Sequence, residues 1–298
     1  MIRLCIKPTT FDILQIQRQQ NPYITDDSIQ PKNVNKKKVH AQHDALEKAF
    51  HKVYSFTVYP VQGEPLPDIV FVANSGLSLP RLPEPVFLLP YMKYKQRKEE
   101  LHYLKHLYTQ LGLRTIPFPG SANAPFEGQG EIKWFHGGTK LLCGPGFRST
   151  RKTFEILDKV LKKIYKSYGV EPPELCVVPL QSAEYYHLDI AMLDYTDTSC
   201  IIHKNAFSKT TIHTIQKFLG PQNVHILDTS DSFSLNAVCD GSNLITHKLS
   251  DPSLKKKLET ITGLSVKQVD TSEFEKSGGS VRCMVLDIYP IEVPSVKI

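Results

Sequence analysis

The chain has 298 residues, of which 41% are hydrophobic and 22% charged, with a formal net charge of +6. This composition speaks against a disordered chain, and the length leaves room for one large or two ordinary domains. The lysines are dispersed, Lys36 to Lys38 in a loop and Lys162, Lys163 and Lys255 to Lys257 on helix faces, which argues against a nucleic-acid patch, and no apolar run reaches the roughly 18 residues that span a bilayer.

The N-terminal stretch Met1 to Pro8 is too short and too soon interrupted to be a secretory signal. Six cysteines (Cys5, Cys143, Cys176, Cys200, Cys239, Cys283) are scattered without a Cys-x-x-Cys pair, which disfavours a zinc site and a disulfide framework. The expectation is a cytoplasmic protein with no metal and no cofactor, neither nucleic-acid-binding nor membrane-bound, with a homo-oligomer left open.

Taken in chain order, a strand-turn-strand-helix unit recurs. The first places strands at residues 68–74 and 85–89 and a helix at 96–111. The second has strands at 132–135 and 140–143 around a Gly-Gly turn, then a helix at 150–168 whose Phe154, Leu157, Leu161 and Ile164 recur at three- and four-residue intervals. Strands at 188–193 and 200–202 and a helix at 209–219 make the third, and strands at 235–239 and 244–246 and a helix at 251–260 the fourth. A fifth combines the strand at 283–288 with the N-terminal segment, closing a ring without bare edges. Residues 79–83, 118–125 and 170–179 read as loops within or between these units, so a single domain is expected over residues 1–298.

Each unit carries one polar residue at a strand entrance: Asn74, Glu127, His187, Asn236 and Cys283. Aimed at one centre, with the acids of the neighbouring segments Phe126 to Glu131 and Tyr185 to Asp189, they would combine a sulfur nucleophile, a proton-shuttling imidazole and carboxylates that grip a cation, the parts needed to open a guanidinium group. Cys283 stands out because Gly278 and Gly279 precede it; Cys143, Cys176, Cys200 and Cys239 read as small buried hydrophobes. Glu131 is open between a ligand and a strand-edge charge.

Seven ordered segments strengthen this reading: Pro8 to Asp12 with Asn21-Pro22, Pro67 to Gly76, Phe126 to Glu131, Gly144 to Ser149, Tyr186 to Asp189, Asn236 to Val238 and Gly278 to Cys283. Together they resemble the guanidino-group modifying enzymes, a superfamily of arginine deiminases, dimethylarginine dimethylaminohydrolases, arginine dihydrolases and amidinotransferases, with arginine dihydrolases and related amidinotransferase-like proteins nearest. The resemblance implies an α/β fold, the five-bladed α/β propeller (pentein) of ββαβ modules around a pseudo-fivefold axis. It implies Cys283 as nucleophile, His187 as general acid and base, Glu127 and Asp189 as guanidinium-binding carboxylates, and Arg148 as partner of a substrate carboxylate. Asn21 and Asn74 match positions where dihydrolases carry asparagine, and Asn236 falls in a matching segment. Gln129 stands where several dihydrolase-like sequences have an acid, a departure that bears on any second hydrolytic step. The implied function is hydrolysis of arginine or a derivative through a cysteine thiouronium; the alternatives are an amidinotransferase and a non-catalytic propeller used as a binding module.

Overall fold

The computed structural model describes residues 2–14, 22–25, 33–61 and 64–289. In chain order, β1 (Ile2–Ile6), α1 (Pro22–Thr25), α2 (Lys36–Ala49) and β2 (Tyr54–Phe56) lead into β3 (Leu77–Ser78), β4 (Val86–Leu89), α3 (Lys95–Gln110) and β5 (Arg114–Pro117). Next come β6 (Ile132–Phe135), β7 (Lys140–Cys143), α4 (Arg151–Ser167) and β8 (Glu174–Val177), followed by α5 (Leu188–Ala191), β9 (Met192–Asp194), β10 (Cys200–His203), α6 (Lys209–Leu219) and β11 (Val224–Leu227). The chain then forms β12 (Val238–Asp240), β13 (Asn243–His247), α7 (Pro252–Thr262), β14 (Ser265–Val269), α8 (Ser272–Glu275) and β15 (Leu286–Ile288).

The result is a mixed α/β fold with five three-stranded sheets among the described residues, ordered β15-β1-β2, β3-β4-β5, β6-β7-β8, β9-β10-β11 and β12-β13-β14. In each, the first pair is antiparallel and the second parallel. The parallel return demands a long crossover, and a helix of 11 to 17 residues fills it every time. The first sheet joins the two ends of the chain, with Leu4 opposite Leu286 on one side and Tyr54 on the other.

Local chemistry explains the crossovers. Ser208 caps α6 by accepting the Thr211 amide at 3.1 Å, and Gly220 follows at φ 93°. Asp251 caps α7, Pro252 occupies its first turn, and Gly263 ends it in the left-handed region. The apolar stripe of α4 (Phe154, Leu157, Leu161, Ile164) is buried with Ile132 of β6 and Leu141 and Cys143 of β7, and each such side chain contributes about 1.5–3 kcal/mol. Cys143 and Cys200 are buried within these clusters, whereas Cys176 and Cys239 are half-buried at their margins.

Five expectations need correction. Residues 68–74 form a turn followed by a 3₁₀ segment, Val72–Ser75, and the strand begins only at Leu77. Likewise Leu188–Ala191 is a helical turn and residues 281–284 a turn, so the strands start at Met192 and Leu286. The region 170–179 contains β8, and Lys36 to Lys38 open α2, where the Asn35 side chain caps the first turn.

Candidate active site

The corrected turns place the polar residues. Asn74 lies in the 3₁₀ segment before β3, Glu127 directly before another (Gly128–Glu131) ahead of β6, His187 at the N-cap of α5 ahead of β9, Asn236 two residues before β12, and Cys283 three residues before β15. A short turn lets a side chain leave the backbone at an angle that a pleated strand, pointing up and down alternately, would not permit. All five are buried, none more than 3% exposed.

Hydrogen bonds link them in series. The Asn74 amide nitrogen donates to the Glu127 carbonyl at 3.4 Å; Glu127 Oε2 faces His187 Nε2 at 2.9 Å; Asn236 Nδ2 donates to the Asp189 carbonyl at 3.1 Å and to Cys283 Sγ at 3.2 Å. The Ala73 amide then donates to the Cys283 carbonyl at 3.1 Å. Two glycines permit the approach. A Cβ on Gly130 would collide with the Asn74 amide, and one on Gly279 with the Phe71 ring.

His187 and Cys283 share one narrow cleft, with Asn74, Asp68, Arg97, Arg148 and Tyr186 also on the wall. Behind the wall, Glu127 Oε2 serves both His187 and Arg148, the latter at 3.2 Å, while Arg148 is sandwiched over Tyr94 and Tyr186 at 4.9 and 4.7 Å from the ring centroids. Asp189 Oδ2 lies 3.5 Å from Cys283 Sγ. Its other oxygen is buried without a hydrogen-bond partner, a costly state that a donor would relieve.

The electrostatics are uneven. Burial drives the Cys283 thiol well above its usual range and the Asp189 carboxylate adds to that, so the sulfur is protonated in this arrangement. Burial also lowers His187 despite Glu127, leaving a neutral imidazole. Glu127 overcomes its own burial because the Arg148 guanidinium and the His187 bond hold it ionised, far below the ordinary carboxylate range. Glu131, which accepts the Glu127 amide at 3.0 Å, is pushed by burial and by the Glu127 charge to about 8, so it is neutral at pH 7.

Two expected site residues lie elsewhere. Gln129 does not join the cleft: its side-chain oxygen accepts the Asp287 amide at 2.9 Å, and it lines a separate polar cavity with Lys133, Asp194 and Arg282. Asn21 lies outside the described residues. Conversely, Arg97, Asp68 and Tyr186 reach the wall without having been singled out as site residues. Arg97 is fixed by Glu100, by the Asn74 side-chain oxygen at 2.6 Å and by the carbonyls of Asp68 and Phe71. Its only sequence signal was an arginine beside a glutamine on the predicted helix. Among the described residues one group, His43, Asp44 and Glu47, is spaced to hold a metal ion, but the Lys7 ammonium already bonds both carboxylates.

Over residues 7–290 the chain matches the family described as N,N dimethylarginine dimethylhydrolase, eukaryotic. The chain belongs to that family. It is also 29% identical over 241 residues to the bifunctional arginine dihydrolase/ornithine cyclodeaminase ArgZ of Synechocystis sp., a match covering 80% of this chain and 31% of ArgZ. To the N(G),N(G)-dimethylarginine dimethylaminohydrolase of Mycobacterium tuberculosis it is 27% identical over 235 residues, 78% of this chain and 69% of that protein. Among solved structures it resembles a variant of the N-terminal domain of ArgZ covalently bound to a reaction intermediate, with a TM-score of 0.76, 25% identity, and coverage of 95% of this chain and 96% of that one. The superfamily read from the motifs is therefore the one to which the whole sequence matches. Among the described residues no helix is long and apolar enough to cross a membrane.

Proposed function

We propose that this chain hydrolyses the guanidino group of arginine or an N-methylated arginine, through a covalent thiouronium on Cys283. The observation that carries the reading is the half-partnered Asp189 carboxylate, buried against the Cys283 sulfur, which shares the wall of one cleft with His187. A guanidinium drawn to that carboxylate supplies donors for the unpartnered oxygen and a positive charge next to the thiol. Its arrival reverses the field that keeps Cys283 protonated.

The proton then passes from sulfur to neutral His187, and Glu127 stabilises the imidazolium. The thiolate attacks the guanidinium carbon, His187 returns the proton to the departing amine, and the neutral imidazole next deprotonates the water that resolves the thiouronium. Arg97 and Arg148 on the wall offer positive charge and Asp68 negative charge, complementary to the carboxylate and ammonium of a free amino acid. Asn74, held by Arg97 and bonded towards Glu127, adds a neutral polar group beside His187.

The series of bonds from Asn74 through Glu127, His187 and Asn236 to Cys283 and back to Ala73 supports a further reading: the five sheets are blades of a closed propeller, forming one catalytic domain over residues 1–298. The test of function is turnover. Incubation with arginine, monomethylarginine and dimethylarginine is expected to release ammonia or a methylamine together with citrulline, or ornithine if a second hydrolysis follows. A new guanidino compound formed only with an added amine acceptor would instead mark a transferase, and inertness toward all of these substrates removes the hydrolase.

A further inference from the structure

A second buried histidine lies outside this chemistry. His247, at the end of β13, is 6% exposed, and both ring nitrogens face carboxylates: Nε2 lies 2.8 Å from Asp231 Oδ1 and Nδ1 3.1 Å from Glu275 Oε1. The Nδ1 contact is aligned as a hydrogen bond, whereas Nε2 meets Asp231 at ion-pair distance only, and two carboxylates flanking one ring favour the imidazolium. Asp231 is anchored in turn, since its other oxygen accepts the Ser250 amide and hydroxyl at 2.9 and 2.8 Å.

Glu275 closes α8 and stands just before the loop that ends in Cys283. The oxygen that meets His247 also accepts the Thr271 hydroxyl at 2.6 Å and the Ser280 hydroxyl at 3.2 Å, and those two hydroxyls lie 2.8 Å apart. Ser280 is fully buried and three residues from the nucleophile. Its carbonyl accepts the Met284 amide at 3.3 Å, which ties Ser280 to the turn that carries Cys283. Between α8 and Ser280 the chain runs through Lys276 and Ser277, whose side chains bond Glu273 and Asp68, and then through Gly278, at φ 84°, and Gly279, so the last two residues before Ser280 have no side chains to hold them.

We infer that His247 is a positioning residue for the nucleophile: acting through Glu275, it holds Ser280, and with it the turn that presents the Cys283 sulfur to the Asn236 side-chain donor. This rests on Cys283 being the nucleophile of the proposed reaction. The two carboxylates outweigh burial and raise His247 to about 9, which keeps the clamp charged at neutral pH. Facing the sulfur itself are Asp189 and the Tyr186 ring, which the clamp leaves unchanged.

The test is the pH profile of Cys283 alkylation by iodoacetamide, read by peptide mass spectrometry in the full chain. His247→Gln, whose amide oxygen or nitrogen must mismatch one carboxylate, is expected to move the profile upward by about one pH unit, a tenfold slower reaction below its midpoint. Ser280→Ala, which removes only the hydroxyl tether, is expected to do the same and decides the matter if His247→Gln fails to fold. Glu275→Ala shifts the profile too, and Glu275→Gln, which still accepts from Ser280, shifts it less. With a guanidino substrate the loss falls on kcat, and KM stays within about twofold. Profiles of folded His247→Gln and Ser280→Ala that superimpose on the native one overturn the inference. Because iodoacetamide needs no guanidinium site, a shifted profile in a protein without guanidino turnover would discard the proposed function and keep the clamp.

Discussion

At the residue scale, the assignment of roles depends on which groups are charged before substrate arrives. Neutral His187 next to ionised Glu127 can take a proton, whereas an imidazolium could not. His187→Gln is expected to lower kcat by about 10²- to 10⁴-fold, measured by release of ammonia or methylamine; a loss below tenfold takes His187 out of proton transfer. The two glutamates of the Glu127 turn should separate cleanly. Glu127→Gln strips the counter-ion from buried Arg148 and weakens the partner of His187, and is expected to cost about 3–5 kcal/mol of stability along with activity. Glu131→Gln replaces a carboxyl that is already neutral and is expected to keep kcat within about threefold. Thermal denaturation and kinetics on the pair check both, and equal damage from both substitutions would contradict the charge assignment. Glu127 was legible because glycine follows it and an ordered motif surrounds it. Gln129 misled because two steps along a 3₁₀ turn, with three residues per turn, carry a side chain most of the way to the opposite side. Arg97 and Asp68 gave no distinct signal, since an arginine on a helix and an aspartate beside proline ordinarily face water.

At the element scale, four of the crossover helices were readable to within about two residues because each carries an apolar stripe, and α4, α6 and α7 carry capping side chains as well. The fifth, α2, is not legible as a helix, since its first turn consists of three consecutive lysines that resemble a solvated loop. Of the five inner strands only β6 starts where the sequence places it, and the other four start three to nine residues later, because a short apolar run reads alike whether it is a strand or a fully buried turn. That error concerns the site directly, as the catalytic candidates occupy the turns. The outer strands β5, β8 and β11 are four residues long and include exposed positions, so their pattern is weak. The Cys283 turn supplies the test here. Gly279→Ala drives a methyl into the Phe71 ring, and a displacement of about 1 Å at the nucleophile is expected to cost about 10²-fold in kcat/KM. Combining it with Phe71→Leu should recover part of that loss; no loss in the single variant would mean that the loop has slack the packing does not reveal.

At the scale of the whole molecule, the recurring module was visible in the order of turns and helices, and the way the chain ends meet was visible only as an inference from five units. In the structure β1 lies between β15 and β2, and Arg3 pairs with both Asp240 and Asp287, tying the N-terminal strand to two sheets. The long-range His247 clamp was not legible, because its partners come from residues 16 positions earlier and 28 later with no shared motif. It has a signature in stability. A histidine raised from 6.5 to about 9 in the folded state contributes stability that is fully present below pH 6.5 and lost as pH rises through 9, on the order of 3 kcal/mol at most. The gap in unfolding free energy between the native chain and His247→Gln should therefore be widest near pH 6 and close above about pH 9; a gap that widens with pH would show the histidine buried uncharged.

The most direct measurement is covalent trapping. Acid quenching during turnover with arginine or a methylated arginine, followed by peptide mapping, should place an amidino-bearing adduct on the Cys283 peptide and on no other cysteine, and Cys283→Ser should show neither adduct nor turnover. Turnover that persists in Cys283→Ser, or an adduct on a different residue, would contradict the account.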